Sequence, residues 1–260
     1  MKTSTFAISP RQFDAVLFDL DGVVAKTAAV HANAWKQLFD EFLEARNKTE
    51  NKSFSPFDVD KDYRKYVDGK PRYEGVKSLL ESRGIDIPYG SPGDPPDKET
   101  ICGLGNRKNR YFHEHLQKEG VEVYASTIDL IHQLHEVEIK TAIISSSKNC
   151  SAVLKQAGIT HLFAARVDGT DLDKLDLAGK PAPDVFVEAA RRLGVVRERS
   201  IIVEDALSGV EAGKRGGFGC TLGVDRAGHA KALKEHGADV VVNDLSEVSV
   251  KADKKENREE

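Results

Sequence analysis

The chain has 260 residues, enough to bury a substantial core in one large domain or two modest ones. Hydrophobic residues make up 40% and charged residues 31%, the balance of a soluble globular protein. A formal net charge of -4 argues against non-specific nucleic-acid binding, which needs a basic surface. Cys102, Cys150 and Cys220 stand apart with no Cys-x-x-Cys pair, so they read as reduced thiols, not as a disulfide frame or zinc site.

Residues 1–12 read as a loose leader without the apolar stretch of a signal peptide. No segment approaches a membrane span, so the expected location is the cytoplasm and no membrane partner is expected. Phe13-Asp14-Ala15-Val16-Leu17-Phe18 is a short apolar run closed by Asp19-Leu20-Asp21-Gly22, which suits a buried strand better than a helix. From about 28 to 117 the pattern changes. An amphipathic helix carrying Val30, Ala34, Trp35, Leu38, Phe39 and Phe42 is followed by a polar stretch at 45–55 and a Pro- and Gly-rich loop at 88–96. This segment is expected to form a separate, mainly helical cap inserted after the first strand. Beyond it, the apolar runs ending at Ile144, Val203, Leu222 and Val242 alternate with helical patterns at 128–135, 183–193 and 208–215. Apolar strands alternating with helices predict an α/β fold, a Rossmann-like parallel sheet core covered on both faces. The expected division is a leader at 1–12, a core domain at 13–27 and 118–248, a cap at 28–117 and a charged, frayed tail at 249–260. No internal repeat is present.

Several acidic and polar groups fall at predicted strand ends, where active sites of such sheets lie. Asp19 and Asp21 are i and i+2 on an extended chain and point to one side. Two carboxylates that close repel unless a cation joins them or one takes a proton, and oxygen ligands of this kind suit magnesium. An Asp-Gly turn would also account for the motif. Glu204-Asp205 ends a second apolar run; if the two strands are adjacent, four carboxylates converge on one edge. Asp205 could instead cap the following helix. Ser145-Ser146-Ser147-Lys148-Asn149 follows a third strand, and hydroxyls and amides entering a helix form a natural phosphate cradle. Ser145-x-x-Lys148 also fits the Ser-x-x-Lys element of penicillin-recognising serine enzymes, but the partner motifs are absent. Lys180, in Gly179-Lys180-Pro181-Ala182-Pro183-Asp184, stands on a loop stiffened by prolines. A Walker A reading fails because Pro181 follows the lysine, and Gly103-Leu104-Gly105 lacks the third glycine of a dinucleotide fingerprint.

Together, Phe18-Asp19-Leu20-Asp21-Gly22-Val23, the serine after the next core strand, Gly179 to Asp184 and Glu204-Asp205 resemble, in order, the four motifs of the haloacid dehalogenase superfamily. The second aspartate of the first motif is that of the phosphotransferase branch. The chain from about Phe13 to Asp244 looks like that superfamily's β-phosphoglucomutase-like hydrolases and phosphomutases. Thr27-Ala28-Ala29-Val30-His31 with Ala34-Trp35 resembles their hinge and first cap helix, and Arg107-Lys108-Asn109 resembles a cap segment. The resemblance implies that Asp19 is the nucleophile that becomes an aspartyl phosphate and that Asp21 shuttles a proton to and from the sugar hydroxyl. It implies Mg2+ bound by Asp19, Asp21 through its carbonyl, and Asp205, with Glu204 close to the ion. Ser145 and Lys180 would hold the transferring phosphate, and Ser146, Ser147, Lys148 and Asn149 would complete the phosphate loop. Arg72, in Gly69-Lys70-Pro71-Arg72, matches a cap arginine for the distal phosphate, Lys108 a cap lysine near the sugar, and His31 a group coupling cap closure to Asp21.

Two features depart from the family pattern. Lys26 stands where an acidic residue is frequent, and the cap carries extra sequence at 45–55 and 89–98. The implied activity is interconversion of β-glucose 1-phosphate and glucose 6-phosphate, with glucose 1,6-bisphosphate as intermediate and activator. A magnesium-dependent sugar-phosphate phosphatase is the alternative, and a non-catalytic phosphosugar sensor a third reading that the complete acidic set disfavours. The expected partner is a small phosphorylated sugar, with no nucleic acid; the sequence leaves the oligomeric state open, a monomer included.

Overall fold

The computed structural model describes residues 6–50, 53–67, 70–226 and 228–252. The chain divides into two units, one formed by Met1–Lys26 with Val121–Glu260, the other by Thr27–Gly120. In chain order, the first unit begins with β1 (Phe6–Ile8) and β2 (Ala15–Asp19). The second holds α1 (Ala28–Glu50), a π-helical turn at Tyr63–Val67, α2 (Arg72–Ser82) and α3 (Ile101–Glu119). The first unit then resumes with α4 (Ala125–Glu136), β3 (Lys140–Ile144), α5 (Cys150–Gln156), β4 (Ala165–Val167) and α6 (Gly169–Leu175). It continues with α7 (Asp184–Leu193), β5 (Ser200–Glu204), α8 (Leu207–Gly216) and β6 (Cys220–Val224). It ends with α9 (Ala230–Glu235), β7 (Val240–Val242) and β8 (Val248–Val250).

Six strands form one parallel sheet in the order β4-β3-β2-β5-β6-β7. This is the α/β sheet that the alternating pattern predicts. Every residue of β2 and β5 is buried, as expected for central strands covered on both faces. Alternate residues serve the two faces: Ala15 and Leu17 of β2, Ala142 and Ile144 of β3 and Ile202 of β5 pack against Val185, Phe186, Ala189 and Ala190 of α7. The strand order reverses between β2 and β5, and such a switch point opens a crevice at the carboxyl ends of the two strands. Phe18 lies opposite Val203, so the residues that follow, Asp19 and Glu204, leave the sheet side by side.

The second unit is helical. One side of α1 buries Val30, Ala34, Trp35, Leu38, Phe39, Phe42 and Leu43, with Trp35 stacked on Phe39 at 5.3 Å between ring centroids. Thr100 caps α3, accepting from the Gly103 amide at 3.0 Å while its hydroxyl donates to Asp94 at 2.7 Å. This anchors the Pro- and Gly-rich loop to the helix.

Three expectations need correction. The leader is not loose from Phe6 onward: β1 pairs in parallel with β8, and Ile8 is fully buried. Arg199 holds the stretch between β1 and β2, ion-pairing with Asp14 and donating to the Pro10 and Arg11 carbonyls. The tail begins later than 249, because residues 248–250 are that partner strand and the Lys251 amide donates to the Ile8 carbonyl at 2.8 Å. The polar stretch at 45–55 opens as helix, since α1 runs to Glu50. Ion pairs from Lys48 to Glu44 and from Arg46 to Glu50 support that last turn. Residues 1–5, 51–52, 68–69 and 253–260, which include Gly69 of the cap motif and most of the expected tail, lie outside the described residues.

Candidate active site

β2 delivers Asp19 to the sheet edge, and the chain turns at once. Gly22 has φ +81°, a left-handed conformation open to glycine, and its amide donates to the Ala25 carbonyl at 3.0 Å. A Cβ on Gly22 would lie 1.8 Å from Asp205 Oδ2, so this turn needs glycine for space as well as conformation. The turn is tied down from behind by Thr127, whose buried hydroxyl donates to the Val23 carbonyl at 2.7 Å.

Asp19, Glu204 and Asp205 each present a carboxylate oxygen, and these three atoms lie within 4.8 Å of one another. Asp21 is close enough for its charge to act on both Asp19 and Asp205. Its carboxylate accepts from the Ser145 hydroxyl at 3.2 Å. Lys180 is buried and its ammonium ion-pairs with both Asp19 and Glu204. Burial lowers the Lys180 pKa, but the charges of Asp19 and Glu204 outweigh it and hold the ammonium well above its ordinary range. Burial pushes Asp19 well up; Lys180 opposes this, and the charges of Glu204, Asp21 and Asp205 add to it. Asp205 is pushed up to about 7, first by burial and then by Glu204. One ammonium faces several carboxylates, an imbalance that a hard divalent cation with oxygen ligands corrects. The donor set fits magnesium.

The helix-cap reading of Asp205 is not realised: Ala206 takes the cap position of α8 without a side-chain cap, and its amide donates to Glu204 at 2.9 Å. Gly209, one turn on, leaves the room that Glu204 occupies, since a Cβ there would lie 1.8 Å from Glu204 Oε1.

The serine loop closes partly on itself. Ser145 accepts from the Ser147 amide at 3.0 Å, and Ser147 accepts from the Asn149 amide at 3.1 Å. Ser146 is exposed, while Lys148 reaches away to an ion pair with Asp173 of α6. The remaining expected residues belong to the helical unit. Lys108 is buried, its ammonium 2.7 Å from His31 Nδ1 and about equally far from the Trp35 and Phe112 rings, at 5.1 and 5.0 Å. Burial, then the Lys108 charge, holds His31 well below its ordinary pKa, so a neutral imidazole accepts from the lysine. Arg72 opens α2 with its guanidinium 5.2 Å from the Tyr73 ring, and its buried Nε has no partner among the described residues.

Residues 13–217 match the family of haloacid dehalogenase-like hydrolases. The chain belongs to that family. It is 46% identical over 242 residues to a β-phosphoglucomutase of Mycobacterium bovis, covering 92% of each chain. It is 28% identical to a phosphorylated carbohydrates phosphatase of Thermotoga maritima, covering 88% of this chain and 94% of that one. In fold it is similar to a β-phosphoglucomutase crystal structure from Clostridium difficile, with a TM-score of 0.70, 24% identity, and 90% and 92% of the two chains covered. Like its relatives, this haloacid dehalogenase-like chain is an enzyme of the phosphomutase and phosphatase group that works through an aspartate nucleophile. Among the described residues, no helix is long and apolar enough to cross a membrane.

One residue against the nucleophile turn of this family member escaped the sequence reading. Arg226 follows β6 and donates from Nε to the Gly22 carbonyl at 3.0 Å. The signal was its place just past a predicted strand, on the edge where the other strands end in functional groups.

Proposed function

We propose that this enzyme is a magnesium-dependent β-phosphoglucomutase, converting β-glucose 1-phosphate to glucose 6-phosphate through glucose 1,6-bisphosphate. The observation that carries the reading is 46% identity to a protein of that name across 92% of both chains. The Asp19, Glu204, Asp205 and Lys180 cluster supports it, because phosphoryl transfer chiefly needs a nucleophile and neutralised charge. In this reading Asp19 attacks phosphorus of the bisphosphate, the P–O bond to the sugar breaks, and Asp21 gives its proton to the leaving sugar oxygen. Glucose 6-phosphate then gives way to β-glucose 1-phosphate, and Asp21 takes the proton of its 6-hydroxyl as that oxygen attacks the aspartyl phosphate, re-forming the bisphosphate and releasing the Asp19 carboxylate. Lys180 and Ser145 hold the transferring group, and Ser146, Ser147, Lys148 and Asn149 line its loop. Asp19, Asp205, Glu204 and the Asp21 carbonyl would hold Mg2+, which when bound offsets the charge of the phosphoryl oxygens. Arg72, Lys108 and His31 serve the sugar and its distal phosphate.

The relative named as a phosphatase supports a second reading, hydrolysis of sugar phosphates. One assay separates the two: β-glucose 1-phosphate with and without added glucose 1,6-bisphosphate, following glucose 6-phosphate and free phosphate together. The mutase reading expects bisphosphate-stimulated glucose 6-phosphate. Dominant free phosphate with no response to the bisphosphate would replace it with the phosphatase.

A further inference from the structure

Arg226 makes an unusual set of contacts for a residue outside the four motifs. Its Nε donates to the Gly22 carbonyl at 3.0 Å. Its Nη1 donates to Asp244 Oδ2 at 3.3 Å and to the Asn243 carbonyl at 3.5 Å. Its guanidinium carbon lies 3.7 Å from the centroid of the Tyr124 ring, a stacking distance. Nη2 is buried and has no partner among the described residues. The far end of this bracket is fixed in turn: Asp244 accepts from the Ser126 hydroxyl at 2.8 Å and from the Ser246 amide at 2.9 Å. A rigid chain of contacts therefore runs from the start of α4 and the end of β7 to one peptide, that of Gly22.

That peptide matters because of what it touches. Gly22 follows Asp21 directly and abuts Asp205, with no room for even a methyl group between them. A shift of the Gly22 carbonyl would move the Asp21 backbone and alter the gap to Asp205. We infer that Arg226 is a positioning residue for the cation site, acting through the Gly22 carbonyl to hold the Asp21–Gly22 backbone in place against Asp205. The inference rests on the reading of the Asp19, Glu204 and Asp205 cluster as a cation site.

The sign of the effect makes it testable. Arg226 is itself a cation, so by charge alone its removal would strengthen binding of a metal ion nearby. Positioning demands the opposite. Groups that orient metal ligands typically cost 10–100-fold in affinity when removed, so Arg226→Met should weaken binding by roughly that factor. Mn2+ serves as the probe, with the free ion measured by electron paramagnetic resonance on the full-length protein. The thermal midpoint is recorded alongside to establish that the variant is folded. Lys26→Met is the neighbourhood control. Lys26 lies 5.6 Å from the same Tyr124 ring and pairs with Glu122 at 2.8 Å, but does not reach Gly22 through any contact described. It should bind Mn2+ as the wild type does. Arg226→Lys keeps the charge without the fork and should show a smaller loss in the same direction, which decides the matter if the Met variant does not fold. Unchanged or tighter Mn2+ binding in a folded Arg226 variant, or an equal loss in Lys26→Met, overturns the inference while leaving the cation site standing. Absence of Mn2+ binding by the wild type overturns the cation reading and this inference with it.

Discussion

At the scale of single residues, Asp205 ties the site to pH. Burial and the charge of Glu204 push its carboxyl up to about 7, with Lys180 pulling the other way. A metal ion needs the ionised form, so below that value it must displace a proton, and affinity should fall by up to about tenfold for each pH unit. The expected profile for Mn2+ rises from pH 6 to about 7 and then flattens. Asp205→Asn should bind weakly and lose the slope. A wild-type affinity that does not change between pH 6 and 8 would show that Asp205 is already ionised at pH 6, and wild-type affinity in Asp205→Asn would show that it is no ligand. The residues of this cluster were legible in the sequence because each ends an apolar run, and parallel strands that are neighbours bring their ends together. Lys180 was legible for a different reason, the prolines that flank it. Arg226 was not, because its partner, the Gly22 carbonyl, is fixed only by the fold.

At the scale of elements, the strands that were readable are those built on a short apolar run. β2, β3 and β5 hold residues 15–18, 142–144 and 201–203 as unbroken apolar runs, which separate them from surface segments. β1 and β8 are three residues each, with polar neighbours, and neither carries a pattern by itself. They exist because they pair with each other across most of the chain, which no local window can detect. The continuation of α1 beyond Ala45 was missed for a related reason: its last turns are polar on every side and rely on i,i+4 ion pairs. The small β1–β8 sheet makes a measurable claim. Ile8 is fully buried, and Ile→Ala at such a position costs about 2–5 kcal/mol, part transfer and part cavity. Ile8→Ala should therefore lower the unfolding free energy by that amount, seen as a lower urea midpoint at an unchanged denaturant slope. An effect under about 0.5 kcal/mol, the range of surface substitutions, would return residues 6–8 to the status of a leader.

At the scale of the whole molecule, the candidate groups are divided between two units. Asp19, Asp21, Ser145, Lys180, Glu204 and Asp205 belong to the sheet unit, and His31, Arg72 and Lys108 to the helical one. In the proposed mutase, the sheet unit suffices for phosphorylating Asp19, whereas reaction with a sugar also requires the cations of the helical unit. The division can be tested with one substitution. Arg72→Ala removes a charge whose buried Nε has no protein acceptor among the described residues, so little of the unit's own structure should be lost with it. If Arg72 binds the distal phosphate, the loss of a desolvated, charge-assisted contact costs about 2–4 kcal/mol, a fall of roughly 30- to 1,000-fold in mutase kcat/KM. Phosphorylation of Asp19 by a small donor such as acetyl phosphate, followed by mass spectrometry, should change less than about threefold, because that donor has no second phosphate to hold. Equal losses in both assays would mean that Arg72 supports the structure and not the substrate. A fall in mutase activity alone would assign it to the sugar phosphate, and would place the distinction between a mutase and a simple phosphatase in the helical unit.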